Sequence, residues 1–162
     1  MTEPDRELRA WIDAPPLLAH VRIDRKDIVR FAIATGETDP IHFEPDAARA
    51  AGHADVVAPP LFYVSLRTGV FNMVPAGELH AEGTPLRDIP PLRFTQAMAG
   101  ETTAELHRPF VAGDEVTGSR RVESTFTKQG RSGTLTFIRF EYRYADADDR
   151  PIAVEHFTRI FR

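Results

Sequence analysis

The chain has 162 residues, 42% hydrophobic and 27% charged, a size and balance that fit one globular domain with a substantial core. A formal net charge of -4 argues against a nucleic-acid partner, and the lack of cysteine excludes disulfides, zinc–thiolate sites and cysteine nucleophiles. Met1 to Ala10 is polar and acidic rather than a signal peptide, and no apolar run reaches the ~20 residues of a membrane span, so a cytoplasmic protein is expected.

Residues 1–14 read as a short polar lead in which Trp11 and Ile12 can pack onto the core, closed by Pro15 and Pro16. Leu18 to Ile23 alternates as a strand. Asp24 is an N-cap, with Asp27 three residues on. Ile28, Phe31, Ala32 and Thr35 then share a helical face, and Gly36 ends the helix. Glu37 to His42 therefore lies just past a helix C-terminus, in a loop stiffened by Pro40. A carboxylate five residues before an imidazole on one short loop can hold a water or hydroxyl between them. An ordinary helix stop and turn is the plain alternative for the same residues.

Pro45 to Ala51 is Ala-rich and reads as a short helix closed by Gly52. Pro59 or Pro60 suits the first turn of a further helix. Nearly every residue from Leu61 to Phe71 is apolar or small, which predicts a helix buried all round. Residues 74–100 are rich in Gly and Pro and predict a long loop, of the kind that serves as a lid or binding loop. Strand patterns follow over Thr103 to Phe110, Val116 to Phe126, Leu135 to Tyr144 and Ile152 to Phe161. Lys128 to Gly133 reads as a hairpin loop and Asp146 to Arg150 as a turn. Helices first and strands after predict an α+β layer fold, with a long buried helix against an antiparallel meander of about four strands.

A buried helix wrapped by such a meander is the hot-dog architecture, and residues 1–162 are expected to form a single hot-dog domain. Within it, Gly36-Glu37-Thr38-Asp39-Pro40-Ile41-His42 resembles the signature of MaoC-like dehydratases and R-specific enoyl-CoA hydratases. That signature runs Gly, Asp, any residue, Asn, Pro, an aliphatic, His, then a small residue six positions on. Gly36, Pro40, Ile41, His42 and Ala48 match; Glu37 replaces Asp and Asp39 replaces Asn. Ala51-Gly52, Val57 to Phe62, His107-Arg108-Pro109, Ala112-Gly113-Asp114 and the Gly130 to Gly133 hairpin look like the N-terminal-type branch, whose members include 3-hydroxyacyl-thioester dehydratase subunits.

The resemblance implies reversible hydration of trans-2-enoyl thioesters to (3R)-3-hydroxyacyl thioesters, on coenzyme A or an acyl carrier. It implies that Glu37 and His42 carry the acid–base work, with Asp39 and Pro40 beside them. Enolate stabilisation falls to the N-terminus of the buried helix. Pro60 stands where the family places an N–H-donating Gly, so the N–H of Leu61 or Phe62 is left to serve. No cofactor and no metal are implied: His20, His53, His80, His107 and His156 lack metal-ligand spacing and read as surface or structural residues.

Arg108, Arg120, Arg121, Lys128 and Arg131 are candidates for coenzyme A phosphates or an acidic carrier, with a solvated strand face as the alternative. Phe62, Phe71 and Phe94 are expected to shape an acyl pocket. A homodimer is expected, with the partner's loop 74–100 closing the site. The alternatives are a non-catalytic or half-catalytic acyl-binding subunit in a heterodimer with a second MaoC-like subunit, a binding or structural hot dog without chemistry, and a hot-dog thioesterase. Against the last, no carboxylate lies between Leu61 and Val74.

Overall fold

The computed structural model describes residues 3–81, 83–131 and 133–162. Local signals set the first elements. Helix α1 spans Glu3–Ile12 and strand β1 Leu17–Arg22. Helix α2, Arg25–Thr35, begins where the Asp24 carboxylate accepts from the Lys26 N–H at 2.7 Å. It ends where Gly36 takes the left-handed conformation at φ 75°. That turn folds the Glu37 N–H back onto the Ala32 carbonyl at 2.9 Å, a closure that positive φ makes easy for glycine alone. A 3-10 turn, Pro40–His42, and helix α3, Pro45–Ala50, follow.

The central helix is composite. A 3-10 turn, Pro60–Phe62, runs into an α turn, Tyr63–Leu66, and a π turn, Arg67–Phe71. One antiparallel sheet packs against it: β2 Ala97–Leu106, β3 Glu115–Gly130, β4 Gly133–Ala145 and β5 Pro151–Phe161, with β1, in the order β1-β3-β4-β5-β2. Phe62, Tyr63, Leu66 and Phe71 of the helix meet Val116, Val122, Phe140, Tyr142, Tyr144 and Phe157 of the sheet in one core. Gly118 lets the helix end approach β3, since a Cβ there would lie 2.9 Å from the Phe71 ring. This is the α+β hot-dog fold.

Two ion pairs cross that interior. Arg67 of the central helix meets Glu155 of β5 at 3.1 Å and stacks its guanidinium 4.0 Å over Phe157. Arg120 of β3 meets Asp88 of the connecting loop at 2.6 Å.

Several expectations need correction. Trp11 and Ile12 pack onto the core as expected, the Trp11 ring edge-on to Phe140 at 6.0 Å between centroids, but the polar lead that carries them is a full helix over Glu3–Ile12. The central helix is not buried all round. Leu61 is 57% exposed, and Thr68 and Gly69 also face out. The sheet covers only one side of the helix, and apolar composition does not say how much of a helix a sheet reaches. The loop expected over 74–100 ends at Ala97, and it contains turns at Ala76–Glu78 and Leu86–Asp88.

The strands do not form a four-strand meander. β3, β4 and β5 do, but β2 crosses to the far edge and pairs with β5, Thr103 opposite His156. Alternation marks a strand without naming its partner. The hairpin is tighter than expected, closing at the Gly130–Gly133 pair. Ser132, part of that expected loop, lies outside the described residues.

Candidate active site

His42 and Glu37 come together, with His42 on the carbonyl of Val57, in the segment that leads into the central helix at Pro60. Helix α2 delivers Glu37 through the Gly36 cap, leaving its side chain 36% exposed. The Asp39 carboxylate accepts from the Ile41 N–H at 3.1 Å and caps the turn that carries His42. Pro40 opens that turn. Asp39 and Pro40 thus shape the loop, and the Asp39 carboxylate is engaged by backbone.

His42 is 7% exposed, and its Nδ1 lies 2.6 Å from the Val57 carbonyl. A carbonyl only accepts, so Nδ1 carries the proton and neutral His42 bears its lone pair on Nε2. Nε2 lies 4.0 Å from Glu37 Oε2. That gap lets one water oxygen approach both atoms at ~2.8 Å. The buried ring is fixed in one tautomer while the carboxylate remains open to solvent. The pair can therefore bind a water or hydroxyl and exchange protons with it.

Two backbone bonds join this loop to the helix start. The Val57 N–H donates to the Ile41 carbonyl at 3.0 Å, and the Ala58 N–H donates to the Phe110 carbonyl at 2.8 Å. Pro59 and Pro60 then enter the helix. The Phe62 N–H is bonded to the Pro59 carbonyl at 3.0 Å, and the Phe62 ring is buried edge-on to Phe31. Pro60 has no N–H. Of the expected donors, Leu61 is the one whose N–H falls at the unpaired start of the helix.

Other candidates fall elsewhere. Arg108 bonds Asp114 at 2.7 Å, Arg120 is buried on Asp88, and Arg121 grips Glu141 at 2.8 and 2.9 Å. Lys128 sits over the stacked Phe126 and Phe137, and Arg131 is exposed in the hairpin turn. Phe62 and Phe71 pack in the core between helix and sheet, and Phe94 of the connecting loop packs on Phe161 at 5.0 Å. The connecting loop packs on its own chain, through Asp88 on Arg120 and a hydrogen bond from Arg87 to the Phe71 carbonyl.

Spacing along the sequence hid two groupings. Glu123, Glu141 and His156 place ligand atoms within 4.8 Å of one another, because β3, β4 and β5 bring them to one face of the sheet. Arg139 holds Glu123 at 2.9 Å and Arg121 holds Glu141, so the carboxylates are already balanced by guanidinium groups. The other is Glu155, fully buried beside Arg67, whose carboxyl burial pushes up to about 7. Only the β5 alternation, which turns position 155 inward, hinted at it.

The fold is the hot-dog fold shared by solved structures of a MaoC-like dehydratase and an R-hydratase. The chain belongs to the FAS1-like, dehydratase domain region family, whose model matches residues 18–155. It is similar to a UPF0336 protein of Clavibacter michiganensis subsp. michiganensis (strain NCPPB 382), 38% identical over 117 residues that cover 72% of each chain. Among solved structures it is similar to the ChsH1-ChsH2 complex from Mycobacterium tuberculosis, with a TM-score of 0.72 and 22% identity, covering 99% of this chain and 96% of that one. It is similar too to the C-terminally truncated HadBC (3R-hydroxyacyl-ACP dehydratase) complex from the same organism, with a TM-score of 0.68 and 17% identity, covering 91% and 97%. At such identities the structural likeness concerns the fold. Among the described residues, no helix is long and apolar enough to cross a membrane.

Proposed function

We propose that this chain catalyses reversible hydration of trans-2-enoyl thioesters to (3R)-3-hydroxyacyl thioesters, carried by coenzyme A or an acyl carrier, through Glu37 and His42. The observation that carries the reading is the His42 Nδ1–Val57 carbonyl bond, which leaves the Nε2 lone pair facing Glu37 across 4.0 Å. In the dehydration direction, the α C–H gives up its proton, the β C–O bond breaks, and the departing hydroxyl takes a proton to leave as water. Hydration reverses each step. His42 and Glu37 share these transfers around the bound water, as a pair rather than as separately assigned acid and base. The thioester oxygen gains negative charge as the α-proton leaves, and the Leu61 N–H at the helix start is the donor nearest that role.

Offering (3R)- and (3S)-3-hydroxybutyryl-CoA separately tests the reaction. The (3R) form should give the conjugated enoyl thioester. Formation from the (3S) form alone, or thiol release in place of alkene formation, would refute the proposal.

A second reading has its own support. Strand β2 is a sheet edge, and nine of its ten residues are exposed. Such an edge pairs readily with another strand, and both similar solved structures are complexes. Pairing with a second copy or with a related subunit covers this edge. If the partner supplies the stronger dyad, this chain serves as the acyl-binding half. Turnover by the purified chain alone separates the two readings: activity favours the first, and activity appearing only with a partner subunit favours the second.

A further inference from the structure

Arg25 and Asp55 stand 30 positions apart, and neither belongs to the loop that carries Glu37 and His42. The fold joins them as a fork. Arg25 Nε donates to Asp55 Oδ1 at 3.0 Å, and Arg25 Nη2 donates to Asp55 Oδ2. Oδ1 also accepts from the Val56 N–H at 2.7 Å. The fork therefore reaches the backbone of residues 55–58, and that segment reaches His42. The Val57 N–H donates to the Ile41 carbonyl at 3.0 Å, and the Val57 carbonyl is the acceptor that fixes His42 Nδ1 at 2.6 Å. Ala112 and Phe110 hold the same segment through the Val56 carbonyl and the Ala58 N–H. Arg25 opens helix α2, and Glu37 follows the Gly36 cap of the same helix. One ion pair thus ties the helix that delivers Glu37 to the segment that orients His42.

Resting on the hydratase reading above, we propose that Arg25 and Asp55 are positioning residues that hold Glu37 and His42 in register for proton transfer. A guanidinium–carboxylate fork fixes direction as well as distance, which a point charge does not. The Arg25 hydrogen bond, and after it the Val56 N–H, hold the Asp55 carboxyl below its ordinary range, so the pair stays ionised near neutral pH. Arg49 of α3 also attracts Asp55, but it bonds Asp46 at 2.6 Å, which leaves the fork to Arg25. The Arg25 side chain is 51% exposed, and an exposed pair adds little to folding stability. Misplacing an acid–base group is costlier, since ~1 Å can cost about 100-fold in rate. Without the fork, residues 55–58 keep their other backbone bonds but gain freedom at their start. The Val57 carbonyl then holds Nδ1–H less firmly, and the tautomer with its proton on Nε2 becomes accessible. That tautomer has no lone pair facing Glu37.

The tautomer can be read without turnover from nitrogen–proton NMR spectra of protein labelled at histidine, at a pH where imidazoles are neutral. The His42 signals are assigned by their loss in His42→Gln. In the unmutated protein His42 should carry its proton on Nδ1. Arg25→Gln and Asp55→Ala should each lower the ratio of the Nδ1–H to the Nε2–H form by about 2- to 10-fold, the worth of one hydrogen bond, with melting close to wild type. Hydration of crotonyl-CoA should lose about 10-fold in kcat while KM changes by less than about 2-fold. Asp55→Asn keeps an oxygen for the Val56 N–H and should recover part of both losses. Arg143→Ala, which cuts an arginine contact to Asp149 elsewhere on the surface, should move neither readout. An unchanged His42 spectrum in folded Arg25→Gln and Asp55→Ala, an equal change in Arg143→Ala, or a loss carried by KM alone would each overturn the proposal. A His42 spectrum that responds as expected in a protein without hydration activity would keep the positioning of His42 and refute the hydratase reading instead.

Discussion

Glu37 and His42 differ in how the fold holds them. His42 is buried with its Nδ1 committed to Val57, whereas Glu37 projects from a helix cap and is partly open. Removing either side chain should therefore cost activity more than stability. Positioned acid–base groups contribute about 100- to 10,000-fold, so Glu37→Ala and His42→Gln should each lower turnover by that order while circular dichroism and melting stay close to wild type. Glu155 makes a different prediction. Burial lifts its carboxyl to about 7 from 4.5, so the folded state holds a proton that the unfolded state releases. That stabilisation is fully present below pH 4.5 and is lost as pH rises through about 7. Asp88, raised by its own burial against the pull of Arg120, acts in the same direction. Denaturation midpoints measured from pH 4 to 8 should fall across this window, and Glu155→Gln should flatten the slope. An unchanged slope in that variant would remove Glu155 as its source.

At the scale of elements, local chemistry was readable and long-range pairing was not. The limits of α2 followed from Asp24 and Gly36, because an N-cap acceptor and a left-handed glycine act within a turn of their own residues. The closeness of Glu37 and His42 was legible for the same reason, since Glu37, Pro40 and His42 share one short loop. The β2–β5 pairing was hidden because strand alternation carries no partner identity. The Arg67–Glu155 pair joins residues 88 positions apart and left no local trace. The helix–sheet approach at Gly118 was equally silent, yet it has a measurable consequence. The Phe71 ring is buried between Tyr142 and Tyr144 and cannot withdraw freely. Gly118→Val should destabilise the protein by about 1–3 kcal/mol, the usual effect of overpacking a core. Chemical denaturation measures it directly, and a neutral result would mean that the helix end has room to shift.

The whole molecule is a one-layer sheet with a helix on one face, and it leaves both an edge and a helix side uncovered. Leu61, Gly69 and most of the β2 edge strand are exposed, and the proposed subunit pairing would cover that edge. Light scattering on the purified chain should report twice the monomer mass if a second copy fills that role. Met98→Lys, a charge placed on the β2 edge, should shift the mass toward monomer. A wild-type protein that is monomeric alone and doubles in mass only with a related subunit would point to the heterodimer.

The claim that these parts serve hydration is tested most directly by following the ultraviolet absorbance of the conjugated double bond of crotonyl-CoA with purified protein, beside the His42→Gln variant at equal concentration. The account predicts loss of the enoyl absorbance with wild type and almost none with the variant. Equal loss in both proteins would show that the dyad does not carry the chemistry, and no loss with wild type, alone or with a partner subunit, would contradict the hydratase assignment.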